Sequence, residues 1–234
     1  MAGAEVVADL EAAAPHRAGN EVLMKLTDLE LKQIERAVQA AEQKTRGEIV
    51  PLVIRQARGY PEAWILPPVI GTVVSGVFSY VLHEWMGAGW VLGARELAVE
   101  MGLGAVLGLG LSLVPAVRRL VVGKQDLAEA VDLRAAAEFT RLGVMNTQDR
   151  CGILLLIGLF EHQAEIVADR GIHSQVGEGY WQAELDQMMR ELKRDGLTPA
   201  LCSGIARLGE LLAAKFPREA ATSNELSDQL RRGE

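Results

Sequence analysis

The sequence predicts an α/β domain, a small mixed sheet covered by helices, that is interrupted by a hairpin of two transmembrane helices. Two observations predict the hairpin: no charged residue occurs between Trp64 and Leu82, and none occurs between Met101 and Val117. A third predicts the domain, because segments with helical or strand patterns occur in the order helix, strand, hairpin, helix, strand, strand, helix, helix. That order fits an α/β sandwich whose first two strands are parallel and joined by a right-handed crossover.

The predicted domain is divided in sequence by the hairpin but whole in space. The N-terminal segment carries Glu5, Asp9 and Glu11 without a continuous apolar stretch, so we expect no secretory signal peptide there. Both end segments lack a core pattern and are expected to be flexible tails. The predicted segments are a tail over 1–26, the first part of the domain over 27–58, the hairpin over 60–120, the second part of the domain over 126–217, and a tail over 218–234.

Composition excludes two classes of function. The formal net charge is −7, and an acidic chain without a basic stripe is a poor binder of nucleic acid, because neutralising phosphates supplies most of that affinity. Cys151 and Cys202 lie far apart without ligand-like spacing, so we expect neither a zinc site nor a disulfide framework. The hydrophobic fraction of 49% and the mean hydropathy of +0.12 are high for a chain with 24% charged residues, and the excess lies in the hairpin.

The two uncharged stretches are long enough to cross a bilayer. As helices they rise about 28 and 26 Å at ~1.5 Å per residue, close to the roughly 30 Å hydrocarbon core of a membrane. The second span extends toward Leu97 in one interpretation, which places Glu100 near the interface. The alternative is that both stretches are buried helices of a larger soluble core.

Aromatic and small residues support the membrane interpretation. Aromatic side chains cluster at the span ends, where their rings prefer the headgroup level, at Tyr60, Trp64, Tyr80, Trp85 and Trp90. Small residues recur at a spacing of four in each span and allow two helix backbones to pack closely. These helix-packing seams are Gly71, Ser75 and Ser79 in the first span and Gly104, Gly108 and Ser112 in the second. We expect the seams to face each other, although they equally suit a dimer interface.

Charge asymmetry predicts the orientation. The connecting loop carries Arg95 as its cation, with Glu84 and Glu96. The flanks that join the domain are richer in cations, at Lys44, Arg46, Arg55, Arg58, Arg118, Arg119 and Lys124. Because cytoplasmic loops carry an excess of Lys and Arg, we expect the domain and both termini in the cytoplasm, at the inner membrane of a bacterium.

Ahead of the hairpin, the sequence predicts one helix and one strand. Thr27 and Glu30 form a capping box, and an apolar stripe follows it at helical spacing. We expect Gly47 to cap the end of this helix. The strand is predicted over 48–56, and Pro51 within it indicates a sheet edge or a bulge, because proline donates no ladder hydrogen bond.

Behind the hairpin, three helices surround a strand hairpin. Cys151–Phe160 is apolar nearly throughout, as a central strand buried on both faces is. The last helix begins with Thr198 as N-cap and Pro199 at the first position. The predicted elements are a helix over 126–142, strands over 151–160 and 163–169 joined by Glu161 and His162, a helix over 176–194, and a helix from 198 that Pro217 ends.

The stretch from Gly152 to Ile172, GILLLIGLFEHQAEIVADRGI, resembles the bacterial membrane branch of the TPM-domain family, as does the strand entry TRGEIV from Thr45 to Val50. This resemblance covers residues 27–56 and 126–216 and implies the fold. It also implies kinship with thylakoid-lumen proteins linked to photosystem II repair, and the acid phosphatase activity and divalent-metal binding attributed to some members. The chain departs from the thylakoid branch of the family, because its spans lie inside the domain and Asp149-Arg150-Cys151-Gly152 stands where an Asp-Asn-Gly sequence often precedes the second strand.

Candidate site residues lie at the two ends of the predicted sheet. Asp149 and Asp169 share the end away from the hairpin, where their oxygens suit a hard cation, Ca²⁺ or Mg²⁺. The alternative is that Asp149 caps a turn and Asp169 ends a strand. Glu161 and His162 suggest acid–base chemistry, although a turn is the simpler role for them.

The sequence leaves three functions open. The first is a membrane-anchored interaction or scaffold protein in membrane-protein assembly or maintenance, which binds the bilayer and either a protein partner or a second copy through its spans. The second is a weak divalent-metal-dependent acid phosphatase, with Asp149 and Asp169 as metal ligands. A channel or transporter is a distant third, since two spans without an intramembrane charge offer no polar pathway.

Overall fold

The computed structural model describes residues 26–85, 93–147, 149–173, 175–218 and 225–233. These residues form eight α-helices, one 3-10 turn and four strands. In chain order the elements are α1 (Asp28–Glu42), β1 (Glu48–Ile54), α2 (Glu62–Trp85), α3 (Ala94–Ser112), α4 (Pro115–Val122), α5 (Lys124–Arg141), the 3-10 turn Val144–Asn146, β2 (Gly152–Gly158), β3 (Gln163–Ala168), α6 (Arg170–His173), α7 (Glu178–Asp195), α8 (Leu197–Lys215) and β4 (Arg231–Gly233).

The chain divides into two units. Within the described residues, the hairpin unit comprises 59–127 and the sandwich unit comprises 26–58 with 128–233. The sandwich unit contains one four-stranded mixed sheet in the order β3-β2-β1-β4. β1 is parallel to β2 and to β4, and β2 is antiparallel to β3. The predicted α/β class, the parallel pairing of the first two strands and the following strand hairpin are confirmed.

Helices cover both faces of this sheet. Alternate residues of β1 and β2, such as Ile49 and Ile153, belong to a buried cluster with α1, α7 and α8. On the opposite face lies α5, since the Val131 side chain is 3.3 Å from where a Cβ on Gly158 would stand. Because β1 and β2 are buried along their whole lengths, both have continuous apolar sequences.

Pro51 lies in a central strand, where a sheet edge or a bulge was expected. The Glu48 N–H donates to Cys151 on β2, whereas the Arg55 N–H donates to Gly233 on β4. Because backbone groups alternate along a strand, the nitrogen of residue 51 points to the β4 side. There β4 begins only at Arg231, opposite Leu52, so the proline removes no hydrogen bond from the ladder.

β4 itself lies in the segment 218–234, where we expected a flexible tail. The carboxylate of Glu48 accepts hydrogen bonds from the N–H groups of Glu225, at 3.0 Å, and Leu226, at 3.3 Å. This buried side chain brings the C-terminal segment to β1. An Arg-Arg-Gly strand has no apolar alternation, so local pattern does not reveal it.

One predicted helix cap is confirmed by the structure, and two others are wrong. Thr27 and Glu30 form the predicted capping box at the start of α1. Gly47 does not cap α1, which ends at Glu42 with Gln43 as C-cap, and a Cβ on Gly47 would stand 2.9 Å from the Leu212 side chain. The N-cap of α8 is Gly196, with φ +89, and Thr198 lies within the first turn, where its hydroxyl donates to the Glu30 carboxylate at 3.3 Å.

In the hairpin unit, α2 is long and apolar enough to cross a membrane, by length and composition alone. α3 and α4 pass the same test only together, and they meet at 98°. The predicted second span, Met101–Val117, is therefore not one helix. α3 ends at Ser112 and Val114 is extended, because Pro115 begins the next helix and has no N–H to continue the previous one.

Candidate functional site

The two predicted helix-packing seams lie against each other within the chain. A Cβ on Gly71 would overlap the carbonyl oxygen of Gly104, and one on Gly104 would overlap the carbonyl oxygen of Gly71. Likewise a Cβ on Gly108 would overlap the carbonyl of Pro67. The backbones of α2 and α3 therefore touch at positions where only glycine fits, which is how helices associate when side-chain burial offers no drive.

Two of the seam hydroxyl groups donate hydrogen bonds to carbonyl groups of their own helices. Ser75 donates to the carbonyl of Thr72 at 3.0 Å, and Ser112 donates to that of Leu109 at 2.7 Å. Ser79 and Ser112 are buried. Because the hydroxyl groups of Ser75 and Ser112 are already hydrogen-bonded within their helices, they need no water, and the packed face suits an apolar environment.

Large apolar side chains cover the outward surface of the same two helices. Phe78 is 65% exposed and Trp85 is 83% exposed. A monomeric soluble protein rarely exposes a contiguous apolar patch of this extent. The exposed set on α2 includes Ile65, Val69, Ile70, Val73, Val74, Val77 and Val81, and on α3 it includes Leu103, Val106, Leu107, Leu109 and Leu111.

The aromatic residues expected at a membrane interface divide between the ends of α2. Trp64 lies near its start, with the guanidinium of Arg118 4.6 Å from the ring centroid. Tyr80 and Trp85 lie near its end and are exposed. Trp90, also expected at the interface, lies outside the described residues. Aromatic rings at both ends of an apolar helix are typical of a spanning segment.

Glu100, expected near the interface if the second span extends toward Leu97, lies within a helix that begins three residues earlier than that. Since α3 begins at Ala94, Glu100 lies inside the helix, and its Oε2 atom is buried without a hydrogen-bond partner in the part of the chain that the structure describes. The start of this helix was not predicted, because the charged residues Arg95 and Glu96 lie outside the uncharged stretch that defined the span. An ionisable group within a spanning helix costs free energy unless it is paired or turned to a protein interior.

At the sheet end, the structure brings Asp149 and Asp169 into one neighbourhood. Both act on the thiol of Cys151, whose pKa is raised chiefly by burial and further by these two carboxylates, while Arg46 lowers it. Arg46 also forms a half-exposed ion pair with Asp149 at 3.7 Å. Asp169 is buried, and its Oδ1 accepts the Arg170 N–H at 2.6 Å.

The fit of a divalent cation to this neighbourhood is poor. The described residues contain no group of three or more His, Cys, Asp or Glu side chains placed to hold a metal ion. Oδ2 of Asp169 has no hydrogen-bond partner among them, but a Ca²⁺ site usually needs about 6–8 oxygens. Asp149 and Asp169 as Ca²⁺ or Mg²⁺ ligands therefore stay a prediction.

Glu161 has a structural contact. Its buried Oε1 accepts the N–H of Ala57 at 2.7 Å, which ties the turn after β2 to the chain that leaves β1. His162 follows with φ +53, in the left-handed region, and its side chain is exposed. The turn predicted for this pair is confirmed.

A buried carboxyl cluster at the start of β1 escaped sequence analysis. Glu42 accepts the N–H of Ile49 at 2.8 Å, and burial, assisted by the charges of Glu48 and Asp228, raises the pKa of Glu42 to about 8. Burial likewise raises the pKa of Glu48. Glu48 and Asp228 are far apart in sequence, so no spacing motif marks the cluster.

Comparisons with known proteins bear on the fold. No protein-family model matches the chain, and no curated protein gives a significant match. The fold is similar to the NMR structure of BA42 protein from the psychrophilic bacterium Bizionia argentinensis, with a TM-score of 0.56 and 19% sequence identity, over 89% of this chain and 96% of that one. At this identity the similarity shows a shared fold alone, and membership of the TPM-domain family stays a prediction.

Proposed function

We propose that this chain is a membrane-anchored interaction module, in which the hairpin inserts into a bilayer and the sandwich unit binds or organises membrane proteins during their assembly or maintenance. The exposed apolar surface of α2 and α3 is the observation that carries this proposal. It is too extensive to face water, and it encloses a seam that suits lipid surroundings.

Lengths support insertion of the hairpin. α2 and α3 measure about 36 and 28 Å at ~1.5 Å per residue, which matches the roughly 30 Å of hydrocarbon in a bilayer. Removing one large apolar side chain from water gains about 1.5–3 kcal/mol. With a dozen or so such side chains exposed on the two helices, lipid contact outweighs the cost of the isolated Glu100.

Charge supports the orientation in which the sandwich unit faces the cytoplasm of a bacterium. Arg118, Arg119 and Lys124 follow α3, and Arg55 and Arg58 precede α2, all at the end of the hairpin from which the chain continues into the sandwich unit. Positive charge is enriched on the cytoplasmic side of spanning helices.

The hydrogen bonds and ion pairs of three carboxylates favour an interaction role over catalysis. Asp149 pairs with Arg46, Glu161 holds the Ala57 N–H, and Glu48 holds the C-terminal segment. Each of these carboxylates has a structural contact. The alternative is the metal-dependent acid phosphatase, which rests on the family resemblance together with Asp149 and Asp169.

Photo-crosslinking in native membranes tests the interaction role. A benzophenone amino acid replaces Leu29 on α1 or Leu133 on α5, two large apolar residues of the sandwich unit that are 65% and 63% exposed. Gln33 and Glu129, exposed polar residues on the same two helices, are the matched control positions. We expect discrete adducts with membrane proteins from an apolar position and weaker ones from its control. Equal, diffuse labelling at all four positions contradicts the proposal.

The phosphatase alternative has its own assay. Detergent-solubilised protein is incubated with a phosphomonoester and Mg²⁺ or Ca²⁺, beside Asp149→Ala and Asp169→Asn variants. We expect hydrolysis no faster than in a mock preparation. Hydrolysis that both substitutions abolish would replace the interaction role with catalysis.

A further inference from the structure

The short helix α4 lies almost perpendicular to α3, at 98°. The bend is a consequence of sequence, because Val114 is extended and Pro115 starts a new helix. A spanning α3 runs along the membrane normal or is tilted from it by about 20°. α4 then lies close to the plane of the membrane, at the end of the hairpin where α2 starts, because Arg118 of α4 lies over the ring of Trp64 near that start.

α4 has one face packed on the hairpin and one face turned outward. Arg118 and Val122 are buried, and the Arg118 guanidinium covers the ring of Trp64. On the outward face Leu120 is 82% exposed, and Ala116, one turn earlier, is exposed as well. An outward leucine on a short amphipathic helix gains free energy when an apolar surface covers it.

Two features of the surroundings indicate lipid as that surface. The exposed apolar surface of α3 continues through Leu111, Leu113 and Val114 toward Leu120. Two cations that are not buried also flank the outward leucine in sequence, the half-buried Arg119 and the exposed Lys124, and Asp126 is the one acid between residues 115 and 127. An apolar side chain beside such cations is complementary to the boundary between acyl chains and anionic headgroups.

We propose that α4 is an interfacial helix, which lies in the headgroup layer of an anionic membrane with Leu120 in the outermost acyl region. This inference rests on the proposed insertion of the hairpin and adds the contact that sets its depth. Trp64, stacked under Arg118, stands at the same level, where indole rings prefer to lie. The second membrane-inserted helix is then α3, Ala94–Ser112, which meets the length and composition test only together with α4, and it does not continue through the bend.

Depth-dependent fluorescence quenching tests the inference in the full chain. Single-cysteine variants Leu120→Cys, Phe78→Cys and Lys193→Cys are made in a Cys151→Ala, Cys202→Ala background and labelled with an environment-sensitive dye. All three positions are exposed, so the label should not disturb packing. The proteins are reconstituted in vesicles of mixed phosphatidylglycerol and phosphatidylcholine. Quenchers are lipids with a nitroxide near the headgroup or deep in the acyl chain, and aqueous iodide.

We expect the label at residue 120 to be quenched at least about twofold more by the shallow nitroxide than by the deep one, and weakly by iodide. Iodide quenching as strong as at Lys193 would overturn the inference because α4 would then lie in water, and weak quenching by iodide and by both nitroxides would overturn it because α4 would then lie against protein. Stronger quenching by the deep nitroxide would also overturn it, because α4 would then continue the span. The label at Phe78 separates the two proposals. Quenching of this label by the deep nitroxide supports insertion of the hairpin, whatever the label at residue 120 shows. Strong quenching of the Phe78 label by iodide would contradict insertion itself.

Lipid charge provides a second measurement. Burial of the label at residue 120, measured by its emission maximum, should increase as phosphatidylglycerol replaces phosphatidylcholine. Lys124→Gln, an exposed position, should weaken this response. An emission maximum that does not change with lipid charge would overturn the anionic-headgroup part of the inference.

Discussion

The hairpin unit and the sandwich unit use the same apolar residue types in opposite places. In the sandwich unit, Ile153 and Leu155 are fully buried under helices. In the hairpin unit, glycine and serine occupy the inside, while valine, leucine and phenylalanine face outward. Burial in water favours large side chains inside. Lipid removes that preference and leaves close backbone contact to hold helices together.

The difference predicts how each unit responds to a change of side-chain size. A smaller side chain leaves a cavity in the sandwich core, whereas a larger one separates the hairpin helices. Outward positions of the hairpin should tolerate both changes as long as they remain apolar.

The largest expected effect is a cavity in the sheet. Leu155→Ala removes a fully buried side chain from the middle of β2 and should lower the free energy of unfolding of the sandwich unit by about 2–5 kcal/mol. Hydrogen exchange of β1 and β2 amides in detergent measures it. The hairpin unit should be unaffected, and an equal loss of protection in α2 would contradict the division of the chain into two units.

Widening the hairpin seam comes next. Gly104→Leu places a side chain against the backbone of Gly71 and should cost about 1–3 kcal/mol or more of helix association. Gly102→Leu, two residues earlier on the same helix, is the matched control because no atom lies within 4 Å of its Cβ position. Protease resistance of the reconstituted hairpin distinguishes the two variants. Similar resistance in both would show that the seam does not hold α2 and α3 together.

A smaller effect, dependent on pH, is expected at Glu42. The pKa of Glu42 in the folded state, about 8, is above the ordinary 4.5. The stability that the protonated side chain contributes is therefore complete below about pH 4.5 and is lost as the pH rises through 8. Glu42→Gln removes this loss and should stabilise the sandwich unit by on the order of 1 kcal/mol at high pH. Thermal unfolding at about pH 5 and pH 9 measures it, with Glu129→Gln as an exposed control. A variant that is less stable than the parent at high pH would contradict the assignment.

The smallest effect is expected at the sheet end. Asp149→Asn breaks a half-exposed ion pair with Arg46 and should change the free energy of unfolding by about 0–1 kcal/mol. Denaturant titration measures it, with and without added Ca²⁺. A Ca²⁺-dependent stabilisation that the substitution abolishes would mean that this carboxylate binds metal.

Much of the fold was predictable from sequence because local patterns coincide with tertiary roles. Three local patterns predicted features that the structure contains. They are the apolar run of β2, the capping box at Thr27 and the small-residue spacing of the seams. β4 was not predictable in this way. Its Arg-Arg-Gly sequence pairs with β1 because the distant Glu48 carboxylate holds the preceding segment.

The candidate surfaces were predictable only in part. Chain topology placed Asp149 and Asp169 at one sheet end, and the structure brings both beside Cys151. The bend after α3, the outward leucine of α4 and the buried oxygen of Glu100 were missed, because charge-free stretches define a span by composition and ignore where helices begin and end. Pro115 was the available signal for the bend.

Lipid exposure of α2 tests the central claim most directly. Spin labels at Val69, Val73 and Val77, which lie on one outward face, are compared in vesicles with a label at Lys193 for access to oxygen and to an aqueous nickel chelate. We predict high oxygen and low nickel access at all three positions, with the extreme at Val73 near the membrane centre. Nickel access at these positions equal to that at Lys193 would show that water covers the hairpin, and low access to both oxygen and nickel would show that protein, and not lipid, covers it.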